Sequence, residues 1–82
     1  MGNVVEALAN HRRAVELDPS IMTLFNLGVT LEEGNVDINE AISVHERALR
    51  LDAVGSDISP PGCHREMISE ALADAYAKCE SG

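Results

Sequence analysis

Large rings are almost absent from this chain: Phe25 and Tyr76 are the only two in 82 residues, and there is no tryptophan. A core built on aromatic side chains is thereby excluded. The 45% of apolar residues must pack through Leu, Ile, Val and Ala instead. Cations are scarce as well, with six Lys and Arg against fourteen Asp and Glu and a net charge of −8. Nucleic acids and anionic membranes both call for a basic face, so this balance argues against either as a partner. No apolar run approaches the ~18 residues of a spanning helix, and no charged-then-apolar leader opens the chain. Met1-Gly2 would invite myristoylation only with Ser or Thr at the sixth position, where Glu6 stands. The expectation is one small cytoplasmic domain, near the lower size limit for an independent core.

Reactive constellations are missing too. There is no nucleophile–base–orienter set, no Gly-rich phosphate loop and no pair of carboxylates in an apolar setting. Cys63-His64 is a lone pair of potential ligands, whereas a structural zinc site needs four at recognisable spacing. Cys63 and Cys79 are expected to stay reduced in a chain without secretion signals. No metal, no cofactor and no enzymatic activity are expected.

What the chain does have is a stretch written twice. Residues 3–18, NVVEALANHRRAVELD, and residues 37–52, DINEAISVHERALRLD, align at an offset of 34. Seven positions are identical: Glu6/Glu40, Ala7/Ala41, His11/His45, Arg13/Arg47, Ala14/Ala48, Leu17/Leu51 and Asp18/Asp52. A period of 34 residues belongs to arrays of stacked helix-turn-helix units. Asn3 and Asp37 can each cap a helix, and each has a Glu three residues on, as in a capping box. Ala7, His11, Ala14 and their counterparts Ala41, His45, Ala48 fall along one stripe, where small side chains admit a close neighbour. His11 and His45 are therefore expected to be packed, hydrogen-bonded residues rather than ligands. Glu46 and Arg50 should add a helical ion pair of about 0.2–0.5 kcal/mol.

These motifs resemble the tetratricopeptide repeat family. The run EALANHRRAVELDPS is similar to that family's second helix, with its alanines and Leu-Asp-Pro punctuation. LFNLGVTLEEG, residues 24–34, resembles the first helix, with Leu27-Gly28 at the Leu-Gly signature. LADAYAKCESG, residues 72–82, resembles a first helix again, with Ala73 replacing the glycine. His11 and His45 stand where an aromatic ring is common, Leu24 where Trp is typical, and Ala53 in place of the closing proline of the second copy. The fold implied is all-α: antiparallel helix-turn-helix repeats forming a solenoid of about four helices.

In order, the helices should cover about 3–17, 20–33, 37–52 and 63–79. The first ends at Asp18-Pro19 because proline disfavours helix in the residue before it. Ser20 is a candidate cap for the second, whose buried stripe is Leu24, Leu27, Gly28 and Leu31, and Gly34 supplies its stop. Gly28 costs about 1 kcal/mol inside a helix, so close packing is its expected purpose. Residues 53–63, AVGSDISPPGC, are rich in turn formers and read as an inserted loop, with Ser59-Pro60 able to start the fourth helix early. The fourth helix should present Ile68, Leu72, Ala75, Tyr76 and Cys79 to its neighbour.

The resemblance also implies a function. In that family the first helices of successive repeats line a groove that takes peptides. Carried over by position, the groove consists of Met22, Phe25, Asn26, Val29 and Glu33 with Met67, Glu70, Ala71, Asp74 and Lys78. Glu32, Glu33, Glu70, Asp74 and Glu80 lie on those two helices and favour a basic peptide segment. Members that clamp acidic chaperone tails use Lys, Arg and Asn there; Asn26 matches but the bases do not, which argues against such tails. A second reading is an assembly module. The order second, first, second, first leaves Ala7, Ala14, Leu72 and Tyr76 partly uncovered at the two ends, and a homo-oligomer would cover them.

Overall fold

The structure, a computed structural model, describes residues 3–34, 36–55 and 60–81. Four helices account for most of them: α1 (Asn3–Leu17), α2 (Ile21–Glu33), α3 (Ile38–Val54) and α4 (Arg65–Ser81). The described residues contain no strand. The fold is all-α and repeat-like, each helix packing on its neighbour in sequence. α2 lies between α1 and α3, α3 lies between α2 and α4, and α2 touches α4 only lightly. Cross-helix contacts fix the directions. The end of α2 at Gly34 approaches Val4 at the start of α1. Asn39, early in α3, receives the Cys79 thiol from late in α4, while Asp52, late in α3, meets His64 just before α4. Sequence neighbours therefore run antiparallel.

Local chemistry explains the helix ends. α1 stops at Leu17, ahead of Asp18-Pro19, as proline requires. α2 opens on a complete capping box. Ser20 Oγ accepts from the Thr23 amide at 3.3 Å, and Thr23 Oγ1 accepts from the Ser20 amide at 2.9 Å. Gly34 ends it, as expected, with its amide donating to the Thr30 carbonyl at 2.9 Å. Asp37 caps α3 by accepting from the Glu40 amide at 3.0 Å. The reciprocal half of that box is replaced, because the Glu40 carboxylate accepts from both terminal guanidinium nitrogens of Arg12 on α1. α3 continues to Val54, two residues past the expected end. Where α1 meets Pro19, α3 has Ala53, which lets the helix run on until Gly55 turns it at φ +78°.

The connection between α3 and α4 is shifted by two residues toward the C-terminus rather than shortened. Helix claims Ala53 and Val54, and Pro60 to His64 form turns that lead into α4 at Arg65, two residues later than expected. Residues 56–59, with the candidate cap Ser59, lie outside the described residues.

The core is aliphatic, as the shortage of rings demands. Leu8, Leu24, Leu27, Leu31, Ala41, Val44, Ala48 and Ile68 form one cluster, with Val15, Ile21, Phe25, Leu49 and Met67 packed around it. Each fully enclosed Leu or Ile contributes about 1.5–3 kcal/mol. The expected α2 stripe of Leu24, Leu27, Gly28 and Leu31 is buried throughout. On α4 the stripe is narrower than expected: Ile68 and Ala75 are enclosed, Leu72 is half-buried, and Tyr76 and Cys79 are exposed. They reach α3 at its rim, Tyr76 donating to the Glu46 carboxylate at 2.9 Å and Cys79 meeting Asn39. Glu46 thus serves Tyr76, and its expected pair with Arg50 is not formed among the described residues.

Candidate functional site

The two copies of the repeated stretch are alike in sequence and unlike in burial. Ala41, His45, Ala48 and Asp52 on α3 are all within 1% of complete enclosure. Their counterparts Ala7, His11 and Ala14 on α1 are half-buried and Asp18 is exposed. Position in the stack is the cause, since α3 is covered by α2 and α4 while α1 is covered by α2 alone. Identical side chains therefore act as core in one copy and as partly open surface in the other.

The enclosed copy shows what the stripe is for. The His45 ring lies directly over Gly28 of α2, where an added Cβ would stand 2.5 Å from Cε1 and 2.8 Å from both ring nitrogens. Phe25 flanks the same ring, with centroids 5.8 Å apart and planes inclined by 54°. Close approach of the two helices thus depends on glycine at 28, as its place inside a helix suggested. The imidazole departs from expectation in one respect: it is packed, but neither nitrogen has a hydrogen-bond partner. Glu32 Oε1, also without a partner, lies 3.9 Å from Nε2. Burial without compensation holds the imidazole below its ordinary range, so it is neutral at pH 7. Burial likewise pushes the Glu32 carboxyl up, an effect that Lys78 opposes and that Asp74 and Glu33 reinforce.

Glu32 joins this buried spot to the outer face of α2 and α4. Lys78 Nζ sits 3.7 Å from Glu32 Oε2 and 3.5 Å from its carbonyl oxygen. Of the ten groove residues expected from the sequence, Glu33, Asp74 and Lys78 are brought together around Glu32. Phe25 and Met67 are half-buried against the core. Val29 and Ala71 are half-buried, while Met22, Asn26 and Glu70 are exposed. Glu70 also lines a cleft of about 490 Å³ along the start of α4, with Arg65, Glu66, Ser69 and Ala73. The result is a half-open surface on two parallel helices, acidic at their C-terminal ends and crossed by one tethered lysine.

Two residues that sequence reasoning passed over hold the architecture in place. Glu32 counts in the sequence as one more groove acid, yet it is 7% exposed and turned toward His45. Its place four residues after Gly28, on the face that meets the repeated histidine, was the available signal. Asp52 is 1% exposed and accepts from the His64 amide at 3.0 Å, while its own carbonyl accepts from the Gly62 amide at 2.8 Å. It pins the turn that leads into α4 to the end of α3. Among the described residues no group of three or more His, Cys, Asp or Glu side chains is placed to hold a metal ion. Both cysteines are free and exposed. No helix of the described residues is long and apolar enough to cross a membrane. No family model, curated protein or solved structure matches this chain.

Proposed function

We propose that this chain is a non-catalytic protein-interaction module of the tetratricopeptide kind, taking a basic peptide or partner helix against α2 and α4. The observation that carries the reading is the repeat itself. The same residues recur on α1 and α3 at a 34-residue offset, and the helices stack in sequence order. An array of this sort stabilises itself through neighbour contacts and leaves a continuous face for recognition. Glu33, Glu70 and Asp74 are exposed on that face, and its basic residue Lys78 is already engaged by Glu32. Arginine or lysine side chains of a partner would meet these acids at the end of α2 and along the middle of α4. The apolar part of such a segment would lie over Met22, Val29 and Ala71.

Fluorescence anisotropy tests this directly. A labelled twelve-residue peptide alternating Lys or Arg with Leu should bind with an affinity that falls as salt rises. Glu33→Lys with Asp74→Lys should weaken it at least tenfold while leaving the helical circular-dichroism spectrum intact. Binding that ignores both substitutions would remove the α2–α4 face as the site.

A further inference from the structure

A second surface lies on the other helical layer. Pro19, at the end of α1, and Arg47, Arg50, Leu51 and Val54, on the last two turns of α3, line an open cleft of about 470 Å³. That volume is ample for one bulky side chain, lying within the 300–1,000 Å³ typical of small-molecule pockets. Its apolar members are unusually bare: Val54 is 78% exposed, Leu51 38%, and Leu17 beside Pro19 is 75%. The charged lining is wholly cationic in a chain of net charge −8.

The two arginines give this exposed patch its charge. Arg12 is held by Glu40, and Lys78 by Glu32. Arg47 and Arg50 form no hydrogen bond or ion pair with any of the described residues, although acids outnumber bases fourteen to six. The repeat keeps only part of this arrangement: Arg13 and Leu17 on α1 are the counterparts of Arg47 and Leu51, but Glu16 stands opposite Arg50, so the pair of arginines belongs to α3 alone. Two guanidinium forks beside an apolar floor suit a segment that brings carboxylates and a bulky apolar side chain together. Arginine binds carboxylates in a bidentate fork, and lysine would not serve equally.

We propose that this cleft docks an acidic segment of another protein, with a Leu- or Phe-type side chain seated on Leu51, Val54 and Pro19 and its flanking carboxylates on Arg47 and Arg50. The site is separate from the α2–α4 face, and it takes the opposite charge. One chain could therefore hold two unlike partners at once.

The probe is a labelled octapeptide with six Asp or Glu around a central Leu-Phe pair. Saturable binding to the full chain is expected, with amide shifts in an NMR titration confined to residues 17–19 and 47–55. Arg47→Glu with Arg50→Glu should raise Kd at least tenfold, and replacing Leu-Phe by Ser-Ser in the peptide should do the same. Both positions on the chain are exposed, so the fold should survive, as circular dichroism would report. Glu33→Lys with Asp74→Lys should leave this binding undiminished, which separates it from the reading given under Proposed function. Binding indifferent to the arginines, or equal for the Ser-Ser peptide, would overturn the proposal. So would a fall in molar mass of the peptide-free chain on Arg47→Glu with Arg50→Glu, since the occupant would then be a second copy.

Discussion

Replacing Gly28 with alanine sets two effects of known size against each other. Alanine favours a helix interior over glycine by about 1 kcal/mol. The added methyl would stand 2.5 Å from His45 Cε1 and 2.8 Å from each ring nitrogen. Carbon atoms in ordinary contact are about 3.5–4.0 Å apart, so the overlap is about 1 Å. The ring has nowhere to go: His45 is 0% exposed and Phe25 closes one side. Overpacking of this kind costs about 1–3 kcal/mol, occasionally more. Three ring atoms are met at once, which puts the cost in the upper part of that range, about 2–3 kcal/mol, and leaves a net loss of about 1–2 kcal/mol once the propensity gain is subtracted. In urea, with a slope of about 1 kcal/mol per molar for a small domain, the midpoint should fall by roughly 1–2 M. His45→Ala in the same chain removes the obstacle, and the methyl at 28 should then be neutral or stabilising. That double-mutant cycle should return a coupling of about 1–3 kcal/mol. A single Gly28→Ala variant as stable as its parent would refute the close seating of His45 on α2.

Three further outcomes follow from the same contacts. Asp52→Ala should cost about 1–3 kcal/mol, because the half-buried His64 amide loses its charged acceptor; limited proteolysis between residues 53 and 63 should quicken, and an unchanged cleavage rate would contradict the pinning role. Gly55→Ala should cost about 1–3 kcal/mol, since φ is +78° and a Cβ would stand 2.8 Å from Pro61; thermal unfolding checks it, and no change in midpoint would count against the turn described. The third concerns pH. His45 is held below its ordinary 6.5, so the unfolded chain binds more protons between the folded value and 6.5. Its contribution is complete above pH 6.5 and is lost as pH falls through the folded value. Glu32 is raised above 4.5, so its contribution is complete below pH 4.5 and declines as pH rises through its folded value. The two slopes oppose each other in the parent protein. His45→Leu removes the first, so its stability relative to the parent should grow as pH drops below 6.5. A difference that stays flat from pH 7.5 to 5 would mean that the imidazole is not buried neutral.

Much of the fold was legible because the sequence carries it redundantly. The Asp18-Pro19 break, the Ser20 cap and the Gly34 stop are local signals, and each acts through atoms within four residues of itself. The α2 stripe was equally plain, because spacing and residue type agree at Leu24, Leu27, Gly28 and Leu31. What escaped was whatever depends on a helix distant in sequence. Nothing near Glu40 says that it will hold Arg12 rather than fold back on its own cap. Glu32 and Asp52 read as ordinary surface acids until α3 and the turn before α4 close over them. The end of α3 was misplaced for a simpler reason: matching it to α1 carried over a stop that only Pro19 enforces. On the candidate face, Phe25 and Met67 share their side chains with the core, which positional carry-over has no means of seeing.

The most direct test compares matched amides on the two copies by native-state hydrogen exchange. Asn10, His11 and Ala14 on α1 pair with Val44, His45 and Ala48 on α3, in similar local sequence and at the same point of the repeat. If stacking position decides what the repeated residues do, the α3 amides should exchange only through global unfolding, and the α1 amides at least tenfold faster through local opening. Equal protection of the two copies, or slower exchange on α1, would contradict a stack in which α3 is enclosed on both sides and α1 on one.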